Sequence, residues 1–104
     1  MYSRHLTCQL KPITQEELGE LFDREILPLL QKQNGFTDEM TFVQRDGKQV
    51  LAISLWESKA NADTYARETY PQVLKSLSRV IEGTPQVRGY DVAVSTFHRA
   101  AATV

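Results

Sequence analysis

The residues of this chain that could do chemistry are few, and most of them crowd one stretch, LWESKANADTYARETYP, from Leu55 to Pro71. It holds the single tryptophan, Trp56, and two of the four tyrosines, Tyr65 and Tyr70. An indole can stack on a planar ligand. A phenol, with an ordinary pKa of about 10, is a poor base at neutral pH but a good hydrogen-bond donor to a ligand oxygen. Tyr65 and Tyr70 are five residues apart, about 140° around a helix, so a straight helix cannot aim both at one pocket unless Pro71 bends it. Tyr70 continues the apolar stripe of its helix and reads as core. Tyr65, at the edge of that stripe, is the better pocket residue. Trp56 reads first as an anchor that closes a strand and fills core, and second as a wall for a planar ligand.

His5 and His98 are the only histidines, the one side-chain type that titrates near neutrality without perturbation. Both fall near strand ends, on strands that would be neighbours. They are candidates for proton transfer (His5) and for lining a pocket (His98), with surface positions at a sheet edge as the plainer reading. Two histidines with no third ligand at matching spacing make no metal site. Cys8 alternates with leucines and reads as a small buried apolar residue. Arg67 and Arg88 could meet an anionic group, though solvated charge is the simpler account. No glycine-rich phosphate loop, Ser/His/Asp arrangement or paired-carboxylate motif is present. Nothing in these motifs calls for a metal or a cofactor.

The elements that must position these residues follow from periodicity. Leu6, Cys8 and Leu10 alternate with His5, Thr7 and Gln9, which predicts a strand over 3–10. Thr14 and Glu17 form a capping box, with Ile13 and Leu18 as a staple. The helix they open buries Leu18, Leu21, Phe22, Leu29 and Leu30 and stops at Asn34-Gly35. Pro28 lies inside it and predicts a bend or break. A second strand is expected over 39–45 and a third over 49–56, joined at Asp46-Gly47 by a two-residue turn. Ser58 caps a second helix whose stripe runs Ala62, Ala66, Tyr70, Val73, Leu77, Val80 and Ile81. Gly83 and Pro85 end it. A last strand is expected over 87–98, with 99–104 as a frayed tail. The order β-α-β-β-α-β predicts an α+β, ferredoxin-like fold, both helices on one face of a four-stranded antiparallel sheet.

Bulk properties narrow the function classes. At 104 residues the chain is expected to be one domain. A net charge of −1 provides no field for nucleic acid or anionic lipid. The longest apolar run, VLAISLW, is too short to cross a bilayer, and MYSRHLTCQL lacks the apolar segment of a signal peptide. One cysteine allows no internal disulfide, so a reducing cytoplasm is expected. The third strand is apolar on both sides, with Val50, Ala52 and Trp56 on one and Leu51, Ile53 and Leu55 on the other. A strand of that kind should not leave a face in water. A homodimer packed through the open sheet face is the expectation.

With this order in place, certain residues resemble those of the antibiotic biosynthesis monooxygenase family. They are Trp56-Glu57-Ser58 at a strand end, the small residues Ala60 and Ala62, then Tyr65 and Tyr70, together with LPLLQKQNGF, where a Gly-Phe pair leads into the second strand. The resemblance spans most of the chain. It implies a dimeric α/β barrel and a pocket in each subunit between helices and sheet. It also implies oxidation of small aromatic or quinol-type substrates by dioxygen without metal or organic cofactor. Trp56, Tyr65, Tyr70 and His98 would then line the pocket, and Tyr65 or His5 would assist deprotonation. A sister branch that degrades haem uses an Asn on strand one and a Trp and a His on the second helix, and this chain has none of these there. Two other functions stay open at this point: a non-catalytic dimeric binding or stress-response module, and an isomerase or decyclase of the same superfamily.

Overall fold

The computed structural model describes residues 1–97, so His98 and the expected tail lie outside the described residues. Nine residues, Tyr2–Leu10, form β1. The helical segment after it begins at α1 (Gln15–Leu21), where the capping box is present. Glu17 N–H donates to Thr14 Oγ1 at 3.0 Å, and Thr14 N–H donates to Glu17 Oε1 at 3.2 Å.

Pro28 does not break this helix. The chain widens instead into one π-helical turn, Phe22–Ile26, and returns to α-helix over Leu27–Gln31, here α2. Leu27 N–H closes the wide turn on the Phe22 carbonyl. Pro28 then sits in the first turn of α2, where a missing N–H is harmless. The buried residues run Leu18, Phe22, Ile26, Leu30, a strict four-residue step. A plain α-helix overshoots each such step by about 40°, and the wide turn absorbs the drift.

Next comes β2 (Phe36–Val43), starting three residues before the expected Glu39 because pairing with β3 (Gln49–Trp56) reaches back to Phe36, with an irregular register at Phe36/Asp38. The connection is longer than the expected two-residue turn. Gln44 N–H donates to the Gln49 carbonyl, leaving four residues, Arg45 to Lys48, in the loop, with Gly47 at φ +74°.

The single second helix expected after Ser58 is two helices, α3 (Lys59–Glu68) and α4 (Tyr70–Leu77). Thr69, at φ −121° and ψ −34°, leaves helical geometry between them. Pro71 falls in the first turn of α4, so its missing donor costs nothing there. The helix stops at Leu77, and Gly83 and Pro85 belong to β4 (Ile81–Asp91) rather than to a helix end. They occupy a bulge. Gln9 pairs with Glu82 and Thr7 with Gln86, so the longer strand loops out between them, with Gly83 at φ +71°. β4 is an edge strand, where a bulge proline is tolerated.

The sheet order is β2-β3-β1-β4 and every neighbouring pair is antiparallel. This is the ferredoxin-like α+β arrangement predicted from the element order. Strand alternation divides the side chains. Arg4, Leu6, Cys8 and Leu10 of β1 and Val50, Ala52, Ser54 and Trp56 of β3 face the helices, and the core forms there. Cys8 is buried in that core, which pushes its thiol pKa up. The opposite face carries His5, Leu51, Ile53, Phe42 and Tyr90, with Phe42 and Tyr90 about half exposed. No helix among the described residues is long and apolar enough to cross a membrane.

Candidate active site

The break at Thr69 decides how the aromatic stretch is arranged. On one straight helix Tyr65 and Tyr70 would diverge, but with α4 starting afresh their ring centroids are 6.2 Å apart. Both line a small cavity of about 20 Å³ between helices and sheet, room for about one water. Tyr65 is the more buried of the two, so the ordering expected from the stripe, with Tyr70 as core and Tyr65 at the edge, is reversed. Trp56 is fully buried behind Tyr65, their ring centroids 4.9 Å apart, and its indole N–H donates to Ser54 Oγ at 2.9 Å. It does not line the cavity; it fixes the ring that does.

Two charged residues join the tyrosines from the sheet side. Arg4, on the helix-facing side of β1, places its guanidinium 4.1 Å from the centre of the Tyr70 ring and 5.3 Å from that of Tyr65. Glu39, opposite Ser54 in the β2–β3 ladder, lines the same cavity. Burial raises the Glu39 carboxyl from the ordinary 4.5 to about 8, against opposing pulls from the Met40 backbone N–H and the Arg4 charge. Burial also raises both phenols, with Arg4 again pulling the other way. At neutral pH the cavity thus holds a fixed cation, two neutral phenols and a carboxyl poised to take or give a proton.

A second, larger space opens beside it. Between α1, the π-helical turn and β2 lies a cleft of about 280 Å³, whose lining includes Gly19, Phe22, Leu27, Thr41 and Val43. Phe22 and Glu39 line both spaces and form the partition between them. The wide turn is itself braced to α4, where Glu25 accepts from Ser76 Oγ at 3.0 Å and from the Arg79 guanidinium. That pairing holds the Glu25 carboxyl below its usual range, the Arg79 hydrogen bond contributing most.

His5 is elsewhere. It follows Arg4 on β1, and alternation sends it to the opposite face of the sheet, paired across from Ile53 and Arg88. Its Nε2 is 3.1 Å from Ser3 Oγ and its ring meets Tyr90 edge-on at 4.8 Å; burial lowers its pKa. Within one chain the structure does not bring His5 and Tyr65 together. Among the described residues no three His, Cys, Asp or Glu side chains converge as metal ligands would.

The residues missed by sequence reasoning are Arg4 and Glu39. Arg4 carried a usable signal, because it occupies the same strand phase as Leu6, Cys8 and Leu10 and is a charge on an apolar face. Glu39 carried little, since the expected strand over 39–45 alternates Glu39, Thr41, Val43, Arg45 with Met40, Phe42, Gln44, and both phases mix polar and apolar types.

No protein-family model matches the chain, and no curated protein matches it. Solved structures do. The ActVA-Orf6 monooxygenase of Streptomyces coelicolor, in complex with nanaomycin D, superposes with a TM-score of 0.74 at 20% identity, covering 90% of this chain and 88% of that one. SnoaB, a cofactor-independent oxygenase from Streptomyces nogalater, gives 0.71 at 13% identity, covering 91% and 95%. A Deinococcus radiodurans protein classed with the antibiotic biosynthesis monooxygenases gives 0.70 at 14% identity, also covering 91% and 95%. The chain has the fold of these monooxygenases. At such identities the likeness is one of fold, and the chemistry must be argued from the residues above.

Proposed function

We propose that this protein is a cofactor-independent monooxygenase of a small aromatic or quinol-type substrate. The observation that carries the reading is the Glu39 carboxyl, held near pKa 8 beside Arg4, Tyr65 and Tyr70 at a cleft between helices and sheet. A base matched to neutral pH is what such a reaction needs from the protein. Glu39 would take the acidic proton of an anthrone or hydroquinone, and Arg4 would steady the negative charge left behind. With an anthrone, the carbanion passes electrons to dioxygen; one oxygen atom stays as the new carbonyl and the other leaves as water. Tyr65 and Tyr70, neutral throughout, would donate hydrogen bonds to substrate oxygens.

The test is oxygen consumption with a panel of hydroquinones and anthrones, comparing wild type with Glu39→Gln and Tyr65→Phe. The expected result is protein-dependent consumption that falls by about a hundredfold or more in Glu39→Gln and by less in Tyr65→Phe. Consumption unaffected by Glu39→Gln would sink the role given to that residue, and none at all would remove the reading for those substrates. The smallness of the inner cavity favours a second reading, a non-catalytic binding module, which the same assay separates by the absence of any turnover.

Two copies packed through the open sheet face complete this reading. Leu51, Ile53, Phe42 and Tyr90 supply the apolar surface, and His5 would lie at the contact rather than in the cavity. Light scattering at micromolar concentration should give about twice the 11.8 kDa of one chain; a single monomeric mass would contradict it. A reducing cytoplasm suits the buried, unpaired Cys8.

A further inference from the structure

Ser54 is buried between the two charged residues of the site. Arg4 of β1 pairs across from it on one side, and Glu39 of β2 pairs across from it on the other. Arg4, Ser54 and Glu39 therefore form one row over three strands, and all three line the inner cavity. Side chains directly opposite in an antiparallel ladder have Cβ atoms about 5 Å apart, within reach of a hydroxyl and a carboxyl.

The hydrogen bonds of this row are half made. Trp56 Nε1–H donates to Ser54 Oγ at 2.9 Å. An indole N–H can only donate, so the serine oxygen accepts there and its own hydrogen is left for another acceptor. Glu39 Oε2 is a buried acceptor with no hydrogen-bond partner, and buried polar atoms are nearly always paired. The Arg4 guanidinium lies over the Tyr65 and Tyr70 rings and acts on Glu39 through its charge. Thr41 Oγ1 also has no partner, but Thr41 lies two residues along β2, opposite Ala52, and does not line the cavity.

We propose that Ser54, held by the Trp56 indole, is the positioning residue of Glu39: its hydroxyl donates to Glu39 Oε2 when the carboxyl ionises, and so sets the pH at which Glu39 works as a base. Ser54 keeps its proton throughout. The bond needs a turn of the carboxyl toward its cross-strand neighbour. Ionisation favours that turn, because a hydrogen bond to a charged oxygen is about twice as strong as one between neutral groups. Ser54 thus works against the burial that raises the carboxyl. The other titratable groups facing Glu39 are Arg4 from β1, Tyr65 from α3, Tyr70 from α4 and Asp23 from the wide turn. Calling Glu39 the base rests on the oxygenase reading; its pairing with Ser54 does not.

The experiment follows two NMR resonances of the protein from pH 5 to 10, the Glu39 Cδ carbon and the indole N–H of Trp56, a single peak because the chain has one tryptophan. In wild type both should shift with one midpoint, near 8, because the indole senses Glu39 through Ser54. In Glu39→Gln the indole shift should vanish. Ser54→Ala should raise the Glu39 midpoint by about one pH unit, Ser54→Thr should keep it within about 0.3 of wild type, and Thr41→Val should leave it unchanged. A serine that served only as acceptor for Trp56 would cost stability when removed without moving the carboxyl midpoint. The proposal is overturned by an indole resonance indifferent to Glu39, by an unmoved midpoint in a Ser54→Ala protein that melts cooperatively, or by a midpoint that moves in Thr41→Val instead. The oxygenase reading stands or falls separately. In the oxygen-consumption assay the rising limb of kcat/KM against pH should move up in Ser54→Ala. Coupled titration without oxygen consumption keeps the Ser54–Glu39 pair and removes the oxygenase; consumption with an unmoved midpoint does the reverse.

Discussion

Glu39 should make the protein less stable as the solution turns from mildly acidic to mildly basic, opposite to the usual behaviour of a carboxylate. In the folded chain its pKa is about 8, and once unfolded it returns to about 4.5. Between those values the unfolded chain gives up a proton that the folded chain keeps, so the unfolded state binds fewer protons and stability falls with rising pH. The contribution is fully present below about pH 4.5 and lost as the pH rises through about 8. At about 1.4 kcal/mol per pH unit, that span amounts to about 5 kcal/mol. Water entering from the outer cleft softens the penalty of the ionised form, so about 3 kcal/mol is a fair expectation. Glu39→Gln keeps the shape and cannot ionise. Urea denaturation at several pH values from 5 to 8.5, followed by the fluorescence of the single, fully buried Trp56, gives both curves. Wild type should lose about 3 kcal/mol relative to Glu39→Gln across that range. A difference that stays constant within about 0.5 kcal/mol would refute the assignment of a raised pKa, and with it the choice of Glu39 as base.

Three further outcomes follow from the same geometry. In Arg4→Met, Glu39 loses the cation that pulls its pKa down, so the upper end of the pH-dependent loss should extend to higher pH, while its onset, set by the unfolded chain, stays where it is; a urea series carried to about pH 10 reads this, and an unchanged upper end would mean that Arg4 and Glu39 are not coupled. Ser54→Ala leaves the buried Trp56 N–H without its acceptor and should cost about 1–3 kcal/mol by urea denaturation. Gly83→Ala forces a side chain to φ +71° where no neighbour crowds the Cβ, so only backbone strain is felt, about 1 kcal/mol, read as a modest drop in Tm.

Most of the architecture was legible because it rests on local signals. Strand alternation sorted the residues of β1 and β3 into two faces, and the capping box at Thr14 and Glu17 marked the start of α1. What escaped depends on long-range geometry. Gly83 and Pro85 look like helix stoppers, and only pairing with β1 turns them into a strand bulge. Thr69 carries no breaker signal, although Pro71 two residues later disfavours a continuous helix. The residue before a proline is pushed away from α geometry, but Tyr70 stays in the helix and the break falls one residue earlier. That shift is what lets Tyr65 and Tyr70 share a cavity. Glu39 was invisible because its significance comes from what covers it: burial by α1 and the wide turn, and a neighbouring Arg4 from a strand thirty-five residues earlier.

The wide turn at Phe22–Ile26 has a consequence for how this helix can change. Ile26 is almost completely buried, yet a uniform α-helix started at Leu18 would carry it about 80° off the core line. The segment therefore stores one residue of slack. Deleting one residue between 22 and 26 would remove that slack and leave a plain α-helix whose buried positions step by four, three and four, within about 30° of one line. Inserting a residue there would instead add to the drift and turn Leu30 away from the core. In this stretch a shorter chain is easier to accommodate than a longer one, and a variant library that admits single deletions but no insertions would sample the tolerated neighbourhood of the site.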